Sequence, residues 1–245
     1  MSWVDFSRRY HLKLEGGYRY LDSCGAFMIE AEESLDLIPS EDTKPTGARM
    51  EKPEQGVIVT LDASQINVQE EMSGSGDEAF VSLALTVGDL ALRHVEPRSV
   101  AARTFRLSSF LPADTVEQAM SYTVEVNKAR LTEWADRIGM SPSHQKLDYV
   151  FSSGSLDVNV VLSVTTFENI TVQRLATRPR ASKWQQKRAE RFNLRADNLH
   201  VPAHHVVMLE VGISEFDPPS EGGKALFEQL RKIDRLIKET LPGKI

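Results

Sequence analysis

The sequence predicts an α+β fold: a mainly antiparallel sheet with helices packed on one face, in two linked halves. Three observations predict it. Residues 205–213 (HVVMLEVGI) alternate Val207, Leu209, Val211 and Ile213 with Val206, Met208, Glu210 and Gly212, the period-two pattern of a strand with a buried face. A turn at Asp217-Pro218-Pro219 then leads to a helical stripe over 220–239. Its members are Leu226, Leu230, Ile233 and Ile237, with Phe227 and Leu236 beside them. Lastly, two pairs of alternating segments, 57–62 with 65–70 and 146–153 with 156–167, flank two-residue turns at Ala63-Ser64 and Gly154-Ser155. A buried strand feeding a helix that lies across its own sheet is the layer arrangement of an α+β domain.

The remaining elements follow in order. Residues 11–15 (HLKLE) alternate as a strand before Gly16-Gly17. The stretch 18–37 reads as a helix with Leu21, Cys24, Met28, Ala31 and Leu35 on one face, and Ile38-Pro39 ends it. Residues 40–56, rich in proline, glycine and charge, read as a long connection. Residues 77–95 fit a helix through Phe80, Ala84, Val87 and Ala91, and a strand through Val81, Leu83, Leu85 and Val87. Their length favours helix, with Asp77 as its cap. Residues 99–110 read as a strand. Asp114 followed by Glu117 suggests a capping box opening a helix that runs to Gly139. The stop at 139–143 divides the chain into halves 1–139 and 144–245. Residues 169–177 suggest one more strand.

With 245 residues, 41% hydrophobic and 26% charged, the composition is that of a globular protein with a sizeable core. No apolar run approaches the roughly 20 residues of a membrane-crossing helix. The single cysteine, Cys24, and an N-terminus without a signal-peptide core point to a cytoplasmic protein. The net charge of −6 is unevenly spread. Residues 22–78 hold 14 acidic side chains against Lys44, Arg49 and Lys52, whereas 174–195 hold eight basic ones against Glu190.

The candidate chemistries are few. GSGDEA at 74–79 matches a dinucleotide-binding glycine pattern, but Glu70, Glu71, Asp77 and Glu78 crowd the helix start where a pyrophosphate would sit. No cofactor is expected. His200, His204 and His205 could contribute to a metal site with Glu215 or Asp217, although Pro202 forbids the helical spacing that usually pairs histidines. Ser143 and Lys146 have the spacing of some acyl-enzymes without the rest of that motif.

The basic segment carries the strongest functional signal. Arg178, Arg180, Lys183, Trp184, Lys187, Arg188, Arg191 and Arg195 would form a cationic stripe with aromatic interleaving. It would contact phosphates, dock onto an acidic surface such as 22–78, or lie in solvent.

Three stretches in this order, YLDSCGAFMIEAEESL, VEPRSVAARTFRLSSF and VVMLEVGISEFDPP followed by ALFEQLRKIDRLIKETL, resemble a sporadically distributed family of uncharacterised bacterial proteins of about this length. The resemblance implies an accessory role and no catalytic residues. The expectation is a non-enzymatic binding or interaction protein, with a protein partner or self-association. The alternatives are a nucleic-acid-binding protein using 174–195 and a metal-dependent hydrolase at His200, His204 and His205.

Overall fold

The computed structural model describes residues 3–17, 19–40, 43–44, 47–71, 75–126, 146–166 and 205–241. These form nine strands: β1 (Val4–Glu15), β2 (Ile38–Pro39), β3 (Ala48–Lys52), β4 (Val57–Leu61), β5 (Gln65–Glu71), β6 (Ser99–Ala113), β7 (Lys146–Ser153), β8 (Leu156–Thr166) and β9 (His205–Phe216). The helices are α1 (Tyr20–Leu35), α2 (Asp77–Val95), α3 (Val116–Val126) and α4 (Gly223–Thr240). All strands join one sheet in the order β2-β3-β4-β5-β1-β6-β9-β8-β7, and every pair is antiparallel. This is an α+β fold on a mainly antiparallel sheet. Strands from both predicted halves meet where β6 pairs with β9 along its length, from Ala102 opposite Phe216 to Ala113 opposite His205.

Alternation decides what each face buries. On β9, Val207, Leu209, Val211 and Ile213 are 0–1% exposed and face the helices. Register places Phe105 and Leu107 of β6, Tyr10 and Leu12 of β1, and Ile66 and Val68 of β5 on that same face. α4 packs on β6 and β9, α2 on β1 and β5, α1 on β2 and β3, and α3 on β6, β8 and β9. The reverse face is polar over its middle, where Arg9, His11, Thr60, Asn67, Gln69, Thr104, Arg106 and Ser214 line a depression of about 500 Å³. Further along it, Phe110, Val161 and Val206 are buried, and Phe6 meets Phe110 edge-on at 6.2 Å.

The two hairpins form as the sequence indicates. Asp62 caps the β4–β5 turn by accepting bonds from Ser64 and Gln65 N–H at 2.7 and 3.0 Å. Gly154 takes φ +61°, the left-handed conformation that the first position of a primed turn requires. Residues 77–95 are helix, which resolves the ambiguity in favour of the longer element.

Four expectations are corrected. The 40–56 connection contains β3, whose Ala48 and Met50 point into the core while Arg49 and Glu51 point to the reverse face. Tyr20, Phe27 and Ala31 form the buried face of α1, and Leu21 is 72% exposed. The α3 start is capped one residue later than expected: Thr115 Oγ1 accepts from Gln118 N–H at 3.1 Å and Gln118 Oε1 from Asp114 N–H at 2.8 Å. Asp77 is the first residue of α2 and does not cap it, since its carboxylate is turned to two arginines.

The β9–α4 turn is fixed by a residue that pattern reading passes over. Arg103, buried on β6, donates through Nη2 to the Pro219 carbonyl at 2.9 Å, with Nη1 3.6 Å from the Glu215 carboxylate. It thereby sets where α4 begins.

Candidate functional site

A surface groove lies between α2 and α4. Both helices place an apolar stripe on the sheet, and where they meet Val81, Leu85 and Phe227 floor a groove of about 740 Å³. That size falls within the range of ligand-binding clefts. Phe227 is anchored from below, its ring centroid 6.1 Å from Phe80 and 5.3 Å from Phe105. Gly223, the first residue of α4, lies so close to α2 that a Cβ there would stand 2.5 Å from Leu85 Cδ2. The helices thus touch at that point, and the groove runs on from it.

The rims carry charge. Lys224, Lys232 and Arg235 of α4, with Glu78 and Glu228, line the opening. All five are solvent-exposed, and none makes an ion pair among the described residues. The cations outnumber the carboxylates.

A charge network closes the groove where α2 begins. Arg231 reaches Asp5 at 3.2 Å and Asp234 at 3.7 Å, and it hydrogen-bonds Asp77. Arg8 bonds Glu70 at 2.7 Å and lies 3.2 Å from Asp77, while its Nη1 donates to the Ser75 carbonyl at 2.9 Å. Lys238 joins Asp5 at 3.1 Å to Asp234 at 2.8 Å. One network therefore ties β1, β5, α2 and α4 together. The Arg231 guanidinium also stands 5.7 Å from the Phe227 ring centre, within cation–π range.

The two carboxylates beside Lys238 respond oppositely. Burial pushes the Asp5 carboxyl up, but the Lys238 ammonium and the Arg231 guanidinium outweigh it and hold the pKa at about 2. Burial dominates at Asp234, and its pKa is raised even though Lys238 and Arg231 oppose the shift.

Arg178, Arg180, Lys183, Trp184, Lys187, Arg188, Arg191 and Arg195 fall outside the described residues, as do His200, His204 and Ser143. His205 opens β9, opposite Ala113 and Thr166. Lys146 pairs with Asp148 at 3.1 Å. No group of three or more histidine, cysteine, aspartate or glutamate side chains suited to a metal ion occurs among the described residues. Of the glycine-pattern segment, Ser75 bonds Glu70 through its hydroxyl, and Asp77 fills the start of α2 with a carboxylate held by Arg8 and Arg231.

The acidic region divides in two. Glu51, Glu70 and Glu71 are buried in the sheet, Glu30 is bonded by Arg93 and His94 at 2.8 Å each, and Asp22, Glu32 and Glu33 are exposed on α1. No helix among the described residues is long and apolar enough to cross a membrane.

No family model and no curated protein matches this chain.

Proposed function

We propose that this chain is a non-enzymatic binding protein whose α2–α4 groove receives a segment of polypeptide. The observation that carries this reading is the juxtaposition of an apolar floor (Val81, Leu85, Phe227) with an unpaired, mainly cationic rim (Lys224, Lys232, Arg235). An amphipathic helix laid in such a groove would bury its apolar face on the floor and leave acidic flanks beside the rim. The floor rests on the Phe80–Phe105–Phe227 cluster, so the groove exists before a partner arrives and little ordering cost attends binding.

The test is a photoreactive amino acid at Ser82, an exposed groove position, in the full chain expressed in the cells that make it. The expected result is a specific polypeptide adduct at residue 82 and none from the same group at Thr60 on the reverse face. Equal labelling at both positions, or none at residue 82, would overturn the reading.

A further inference from the structure

We propose that the occupant of the groove is α1 of a second copy of this chain, so that copies associate head to tail. The proposal rests on the groove reading and adds the partner's identity. Two large apolar side chains stand on the solvent face of α1: Leu21 is 72% and Ile29 59% exposed. They are eight residues apart with Gly25 midway, and positions spaced by four share a helix face. Nothing lies within 4 Å of the place a Cβ on Gly25 would take, so the middle of this face is open to close approach by another surface.

The flanks of the stripe are acidic. Asp22, Glu32 and Glu33 are exposed, and α1 contains no basic residue between Tyr20 and Leu35. An apolar, acid-flanked helix complements an apolar, cation-rimmed groove, and the charges set the register while the apolar contact supplies most of the affinity. Leu236, 61% exposed and one turn beyond Lys232, adds apolar surface on α4.

A chain cannot fill its own groove this way. Tyr20, Phe27 and Ala31 hold α1 against its own domain, and the Tyr20 hydroxyl accepts a 2.7 Å bond from Ala48 N–H of β3. The Leu21–Ile29 face is therefore presented outward. Because donor helix and receiving groove are different surfaces, the contact is heterologous and propagates into a closed ring or an open chain of copies.

Sedimentation velocity on the full chain tests this with two charge-reversed variants, E32K/E33K on α1 and K232E/R235E on the groove rim. All four positions are exposed, and matching thermal melts establish that the variants fold. The wild type is expected to associate as its concentration rises, less so at high salt. Each variant alone should associate on the order of tenfold more weakly or worse. An equimolar mixture of the two should regain association, because each reversed surface then meets an opposite one. A wild type that stays monomeric, a variant that associates like wild type, or a mixture that stays as weak as its components would each overturn the proposal. A foreign polypeptide crosslinked at residue 82 with a monomeric wild type would remove this inference and leave the groove reading standing, whereas no adduct at all would remove both.

Discussion

Phe105→Ala is expected to lower folding stability by about 3–5 kcal/mol, the cost of emptying a core phenylalanine site that cannot fully collapse. Phe105 is 0% exposed and sits at the centre of β6, opposite Tyr10 of β1 and Ile213 of β9. Its ring lies 4.8 Å from that of Tyr10 and 5.3 Å from that of Phe227. The strands on either side are rigid parts of one sheet, so the cavity persists and its lining loses dispersion contacts as well as the transfer term. The change also removes a support of the groove floor, so binding should weaken alongside stability. Urea denaturation measures the first effect, and a loss below about 1 kcal/mol would show that Phe105 does not occupy the core position assigned to it.

Arg231→Ala is expected to cost about 3 kcal/mol at neutral pH, because it strips a partner from the buried Asp234 carboxylate. The pH dependence identifies the cause. Asp234 has a folded-state pKa above its ordinary value, so the folded state holds its proton longer and its ionisation penalty enters as pH rises through the carboxylate range. Without Arg231 that penalty grows. Asp5 has a folded-state pKa depressed to about 2, so its contribution is present above the unfolded value and is lost as pH falls. Without Arg231 that contribution shrinks. The Asp234 effect makes the deficit of the variant largest at neutral pH and smaller near pH 4, and the Asp5 effect lowers it further only as pH falls from about 4 towards 2. Denaturant titrations at neutral pH and near pH 4 decide the matter: a deficit independent of pH would mean that Arg231 acts through packing on Phe227 alone.

Elements governed by strong local periodicity were readable from the sequence, and those governed by tertiary choice were not. β9 and α4 announce themselves because their apolar residues recur at strand and helix spacing: Leu226, Phe227 and Leu230 are buried, Ile233 and Ile237 pack against the core, and of the expected α4 stripe only Leu236 faces solvent. The β7–β8 hairpin is marked by Gly154, whose positive φ a residue with a Cβ adopts only with strain. β3 was hidden because it is five residues long, carries Arg49 and Glu51 on its second face, and stands among prolines and glycines that signal loop. α1 is legible as a helix, with Ala31 in the core and Cys24, Met28 and Leu35 packed against it, but Leu21 points outward and Tyr20 and Phe27 take the buried positions. A stripe through Leu21 looks as apolar as one through Phe27, and only the position of the sheet decides which is buried.

The site was the least legible part. Its floor comes from Val81 and Leu85 on one helix and Phe227 on another, each of which reads locally as an ordinary core residue. Arg231 likewise looks like one more surface charge on α4 until Asp5, Asp77 and Asp234 are placed around it. Convergence of distant segments leaves no signal in a single sequence.

Lysine acetylation of the full chain, read by mass spectrometry as concentration rises through association, tests most directly whether the helical layer carries the contact. Lys224 and Lys232 line the groove, Lys13 is exposed on the reverse face, and Lys146 on the sheet-edge strand β7. Slower labelling of Lys224 and Lys232, with Lys13 and Lys146 unchanged, is the expected result. Protection of Lys146 or Lys13 in place of the groove lysines would contradict the account and move the contact to the sheet.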